Sequence, residues 1–138
     1  MKFKSILLID DDEAINEFHE IIISQVDITH NIHSVLSGQE GLDYLKSQGT
    51  YNDEENAFPQ PELIFLDINM PAMNGFEFMV EYDKLDKEQK AKYVIVMLTS
   101  SLNPDDKKES EKYSDIIDFL NKPLTKDSLF KLRDRILL

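Results

Sequence analysis

The sequence predicts an α/β fold, a doubly wound (βα)5 unit whose single sheet of about five parallel strands is covered by helices on both faces. Three observations predict it. Short apolar runs recur along the chain; polar stretches of helix length separate them; and each run is nearly continuous in its apolar residues, as suits strands buried on both sides. Ile6, Leu7, Leu8 and Ile9 make the first strand, and Ile15, Phe18 and Ile22 then fall on one face of a helix. Residues 30–36 are the second strand, and Leu42 with Leu45 begins a second helix. Residues 47–61, with Gly49, Asn52, Asp53 and two prolines, read as an exposed loop that is long by the usual standard. Residues 63–66 are the third strand and 93–98 the fourth. Asn103-Pro104 then starts a helix, a capping side chain followed by proline at the first helical position. Residues 105–112 contain no apolar side chain, so that helix has almost nothing to bury and is expected to be short or mobile. Residues 118–120 are the fifth strand, and Leu129, Leu132 and Ile136 line a closing helix.

The bulk properties narrow the function. A chain of 138 residues fits one domain, here 1–138, and leaves no room for a second folded module beside it. No apolar run is long enough to cross a bilayer, and Asp10-Asp11-Asp12 directly after the first apolar run is unlike a secretory signal. A cytoplasmic location without membrane attachment is expected. The absence of cysteine excludes disulfides, thiolate metal sites and cysteine nucleophiles. A formal charge of −12 argues against nucleic-acid binding, which rests on clustered Lys and Arg.

In an open parallel sheet the working residues gather at the carboxyl ends of the strands. The first strand ends in Asp10-Asp11-Asp12, the third in Asp67, the fourth in Thr99 and the fifth in Asn121-Lys122. Two carboxylates about 4 Å apart repel by roughly 4 kcal/mol at an effective dielectric near 20, so such a cluster calls for a cation. An all-oxygen donor set without Cys or His selects a hard ion, Mg²⁺. The chemistry that suits it is phosphoryl transfer to a carboxylate, with Asp67 as nucleophile, Lys122 as paired point charge and Thr99 as a hydroxyl donor to a phosphate oxygen.

Leu7-Leu8-Ile9-Asp10-Asp11-Asp12, then Leu63 onward through Asp67-Ile68-Asn69-Met70-Pro71-Ala72-Met73-Asn74-Gly75, then Val94 to Thr99, then Phe119-Leu120-Asn121-Lys122-Pro123-Leu124, resembles the response-regulator receiver family in order and spacing. The resemblance is to chemotaxis-regulator-like, stand-alone receivers. It implies a flavodoxin-like sheet of strand order 2-1-3-4-5, an acidic pair at Asp10 and Asp11, a phosphoacceptor at Asp67, a switch hydroxyl at Thr99 and the family lysine at Lys122. It also implies that Asn69 lends its backbone carbonyl to the metal, that Phe119 stands at the switch aromatic without a tyrosine's hydroxyl, and that Lys122–Pro123 is cis. By the same resemblance the donor is a sensor histidine kinase or phosphotransfer protein, and the switched surface binds a downstream protein. The chain is then no enzyme in the ordinary sense, but a phosphoacceptor that phosphorylates itself and slowly loses the group. The long loop before the third strand is similar to that of single-domain regulators paired with phytochrome-like kinases.

Other residues have plainer readings. Asp12 suits the cap of the first helix, and Gly75 the turn and helix start after Pro71. His30 and His33 are three apart on a strand and point to opposite faces. His19 reads as a surface or half-buried helix residue. Met70, Met73, Met79 and Met97 read as packing. Ile136, Leu137 and Leu138 suit a homodimer as readily as the core. A haloacid-dehalogenase-type phosphatase shares the parts list, but its general acid would stand where Asn69 does, and an amide cannot shuttle that proton. A receiver-shaped adaptor would have lost one of the key residues, and all are present.

Overall fold

The computed structural model describes residues 1–51, 58–92, 94–101 and 103–138. Along the chain run β1 (Ile6–Ile9), α1 (Glu13–Val26), β2 (Ile32–Val35), α2 (Gly38–Lys46), β3 (Leu63–Asp67), α3 (Gly75–Asp83), β4 (Val94–Thr99), α4 (Pro104–Ser110), β5 (Ile116–Asn121) and α5 (Lys126–Leu137). The strands are all parallel in the order β2-β1-β3-β4-β5, as expected. The expected fourth strand began at Tyr93, which lies outside the described residues.

Side chains alternate across the sheet, so each strand feeds two cores. Leu7 and Ile9 of β1 join Ile64, Leu66, Leu42, Leu45 and Phe78 under α2 and α3. Ile6 and Leu8 join Leu63, Phe65, Ile23, Leu129 and Leu132 under α1 and α5. Ile136 and Leu137 pack against this second core, while Leu138 is exposed.

One helix departs from its predicted face. The buried side of α1 is Asn16, His19, Ile23 and Val26, whereas Phe18 is exposed and Ile15 and Ile22 are half-buried. Hydrophobic periodicity missed this because two of the four buried positions are polar. His19 is not a surface residue but is only 1% exposed.

The long loop 47–61 is described at its two ends; residues 52–57, with Asn52 and Asp53, lie outside the described residues. Those ends are tied down. The Tyr44 hydroxyl donates to the Pro59 carbonyl at 2.9 Å, Gln60 Nε2 donates to the Leu45 carbonyl at 2.9 Å, and the Tyr51 hydroxyl donates to Glu40 at 2.7 Å. The His33 ring stacks on Tyr44 at 5.0 Å and meets Tyr51 and Phe58 edge-on. The α4 helix is short, as expected, with Asn103 capping it and only Ser110 buried. Among the described residues, no helix is long and apolar enough to cross a membrane.

Candidate functional site

The site forms where β1, β3, β4 and β5 end. Asp10 follows β1 directly and is 3% exposed; its backbone N–H donates to the Val35 carbonyl at 3.2 Å. One carboxylate oxygen of Asp10 accepts the Asp12 backbone N–H at 2.9 Å, and the other accepts Lys122 Nζ at 3.0 Å. Asp11 is exposed. Asp12 caps α1 as expected, its carboxylate accepting the N–H groups of Ala14 and Ile15. Asp67 closes β3, is 2% exposed and lies 3.1 Å from Lys122 Nζ.

Lys122 therefore bridges two buried carboxylates, where the sequence suggested a pairing with Asp67 alone. Its own backbone N–H donates to the Thr99 carbonyl at 2.7 Å, which joins the ends of β4 and β5. The Lys122–Pro123 peptide is cis. Thr99 is 1% exposed, and its hydroxyl is turned to its own loop: it donates to the Ser101 carbonyl at 2.9 Å and accepts the Ser101 N–H at 3.2 Å. Asn69, two residues past Asp67, is exposed. Phe119 is half-buried in β5 opposite Met97, and with Asn103, Pro104 and Lys107 it lines a cavity of about 240 Å³ beside α4.

One carboxylate oxygen from each of Asp10, Asp11 and Asp67 lies within 4.8 Å of the others. With one ammonium beside three carboxylates, the ionised cluster keeps an excess of negative charge. The electrostatic consequence falls on Asp67, whose pKa is pushed up to about 6 by burial first, then by the charge of Asp10, against the lowering effect of Lys122, with Asp11 adding to the rise. Burial works against the Lys122 ammonium, but its hydrogen bond and charge contact with Asp10, followed by the charge of Asp67, outweigh that and raise its pKa. An oxygen-only donor set with surplus negative charge fits a hard divalent cation.

The turn after Asp67 is held by close backbone approach. Gly75, first residue of α3 behind the Asn74 cap, donates its N–H to the Ile68 carbonyl at 2.8 Å. A Cβ at Gly75 would sit 2.9 Å from the Asp67 carbonyl oxygen and 3.0 Å from Ile68 Cα, so packing against the end of β3 explains this glycine. Gly75→Ala should lower stability by about 1–3 kcal/mol through overpacking, read as a reduced urea midpoint at unchanged slope. An unaltered midpoint would show that the turn yields without cost.

The structure thus brings together Asp10, Asp11, Asp67 and Lys122, with Thr99 joined to Lys122 through the backbone. It places Asn69 on the rim and Phe119 on the α4 side. Sequence reasoning missed the second partner of Lys122 and the polar buried face of α1. The available signal for that face was Asn16 and His19 at helical spacing from Ile23 and Val26.

Comparison with known proteins points the same way. The family model for the response regulator receiver domain matches residues 6–133. The chain is 34% identical over 103 residues to the response regulator Rcp1 of Synechocystis, spanning 75% of this chain and 66% of that protein. It is 26% identical to the transcriptional regulatory protein CitT of Halalkalibacterium halodurans, over 96% of this chain and 52% of that protein. The chain therefore spans between about half and two thirds of these relatives' length. A two-component response regulator from Cytophaga hutchinsonii superposes with a TM-score of 0.84 at 33% identity, covering 99% of this chain and 98% of that one. The Mn²⁺-bound form of Rcp1 superposes with a TM-score of 0.72 at 30% identity, covering 96% of this chain and 90% of that one. With the sheet order, the acidic cluster and the family match in agreement over nearly its whole length, the chain belongs to the response regulator receiver family.

Proposed function

We propose that residues 1–138 form a receiver domain that accepts a phosphoryl group on Asp67 from a sensor histidine kinase or a phosphotransfer protein and thereby switches a surface for a downstream protein. The observation that carries this reading is the Lys122 ammonium held 3.0 Å from Asp10 and 3.1 Å from Asp67, with Asp11 completing the oxygen cluster. Asp10, Asp11, Asp67 and the backbone carbonyl of Asn69 would hold the metal. The all-oxygen donors favour Mg²⁺, and the Mn²⁺-bound form of the relative Rcp1 supports a divalent ion. When bound, Mg²⁺ supplies positive charge that stabilises the oxygens of the group in transfer.

The protein's own residues do the rest. An Asp67 carboxylate oxygen attacks phosphorus, the bond from phosphorus to the donor nitrogen breaks, and its electron pair leaves with the donor imidazole. Lys122 exchanges contact with the carboxylate for contact with the acquired phosphoryl oxygens. Thr99 surrenders its bond to the Ser101 carbonyl and donates to a phosphoryl oxygen, pulling the loop before α4 and freeing room for Phe119. With Asn69 in place of an acid, no side chain at that position passes a proton to speed hydrolysis, so the phosphoaspartate persists and the chain works as a switch and not as a phosphatase. The excess of acidic residues suits a protein partner and not nucleic acid, and the assignment to the cytoplasm belongs to the same proposal.

Incubation with Mg²⁺ and acetyl phosphate, followed by intact mass, tests the reading. A stable gain of one phosphoryl group, absent when Mg²⁺ is chelated, is expected. Rapid release of free phosphate would replace the switch with a phosphatase, and no mass change would leave only a binding adaptor.

A further inference from the structure

Asp10 and Lys122 reach the site from strand ends that α1 braces with two polar side chains on one face. Asn16 Nδ2 donates to the carbonyls of Asp10 at 3.0 Å and Val35 at 3.3 Å. Three residues on, His19 Nε2 accepts the backbone N–H of Leu124 at 3.1 Å. Burial keeps this imidazole neutral, its pKa lowered to about 4 even though the charge of Asp10 raises it, with Lys122 adding a smaller lowering. Nε2 thus retains its lone pair and Nδ1 carries the proton.

The segment it meets is short of backbone donors, although the Leu124 side chain is buried in the core. Lys122 donates its N–H to the Thr99 carbonyl at 2.7 Å, Pro123 has no N–H to give, and Leu124 is the next donor. Among the described hydrogen bonds, the backbone N–H groups from 122 to 124 are therefore held at two points, the end of β4 and His19 of α1. A lysine is a flexible stem, and its ammonium is placed only as well as its backbone is held. We propose that His19 is a positioning residue for phosphoryl transfer: its Nε2 fixes the Lys122–Leu124 turn and so holds the Lys122 ammonium between Asp10 and Asp67. The inference deepens the reading of Asp67 as phosphoacceptor and rests on it. An imidazole that only filled space between α1 and α5 would tolerate leucine with no effect on Lys122.

The test uses the full chain with His19→Leu, which has no acceptor, and His19→Gln, whose amide oxygen reaches about as far as Nε2. In the wild type, NMR should show a coupling across the hydrogen bond between the Leu124 amide nitrogen and His19 Nε2. With ¹³Cε-labelled lysine, the Lys122 resonance, identified by its loss in Lys122→Arg, should stand apart from those of exposed lysines. His19→Leu should move it toward them and slow phosphorylation by saturating phosphoramidate about 10- to 100-fold, the scale of a misplaced catalytic group, with little change in the donor concentration for half-maximal rate. His19→Gln should restore both. An absent coupling, an unmoved lysine resonance in His19→Leu, or equal losses in the two variants would overturn the proposal. If His19→Leu fails to fold, the wild-type coupling and a retained resonance in His19→Gln decide, and loss of either overturns it. A wild type that takes no phosphate would overturn the phosphoacceptor reading instead, and the coupling and lysine resonance, which need no phosphate, still decide the role of His19.

Discussion

Lys122→Ala should destabilise the metal-free protein by about 3–5 kcal/mol at pH 7, the range measured when one partner of a buried ion pair is removed. The reason is what remains. Asp10 and Asp67 are 3% and 2% exposed, and their only cation among the described contacts is the ammonium shared between them. Without it, two buried carboxylates face each other, and one must take a proton or the region must open to water. The deficit is best read from urea midpoints in EDTA. Saturating Mg²⁺ should recover part of it, because a ligand that binds only the folded state stabilises by mass action. Phosphorylation by acetyl phosphate should be lost in the same variant. A deficit below about 1 kcal/mol, typical of exposed pairs, would mean that the ammonium does not hold the cluster.

Asp67→Asn should act in the opposite sense on stability. The folded pKa of Asp67 lies near 6 against an ordinary value of 3.8, so between these values the native state binds more protons than the unfolded chain. Stability from this group is fully present below the ordinary value and is lost as pH rises through about 6. The asparagine variant is free of that loss. Its advantage over the wild type in EDTA should grow by about 1.4 kcal/mol per pH unit across this window and level off above it, on the order of 2–3 kcal/mol in all. His19 runs the other way in both proteins: its folded pKa near 4 is below 6.5, so its contribution is present above the ordinary value and is lost as pH falls toward 4. In the wild type the two slopes oppose each other between about 4 and 6, whereas Asp67→Asn should show the His19 slope undiminished. Denaturation series at several pH values would reveal it, and a difference curve that is flat or falls with pH would refute the strained carboxylate. The same substitution should abolish the gain of a phosphoryl group.

The strand ends and the polar residues that follow them were legible in advance because they are local. Apolar runs mark strands buried on both faces, and the polar residue that terminates each run, at Asp10, Asp67, Thr99 and Lys122, falls where a parallel sheet delivers it. Asp12 as a cap and the brevity of α4 followed from the same nearest-neighbour logic. The true face of α1 was not legible, since a pattern that scores hydrophobicity passes over a buried asparagine and histidine. Gly75 was expected at the turn and helix start after Pro71, where it is the first residue of α3, but its close approach to the Asp67 backbone was not foreseen.

By itself, then, the sequence determined the sheet, the two covering layers and the identity of the residues that meet at one edge, because period and residue type are properties of short segments. The pairing of Lys122 with Asp67 was anticipated, but the second partner of Lys122 and the partner of His19 were decided only by the tertiary structure. The ammonium of Lys122 meets Asp10 across 112 residues of chain and His19 receives the Leu124 amide across 105, and contacts so distant in sequence are set by the packing of whole elements, which no local pattern encodes. The same packing decided that Asp11 stays in water while Asp10 and Asp67 are buried. Burial, more than the count of acidic residues, is therefore what raises the proton affinity of Asp67.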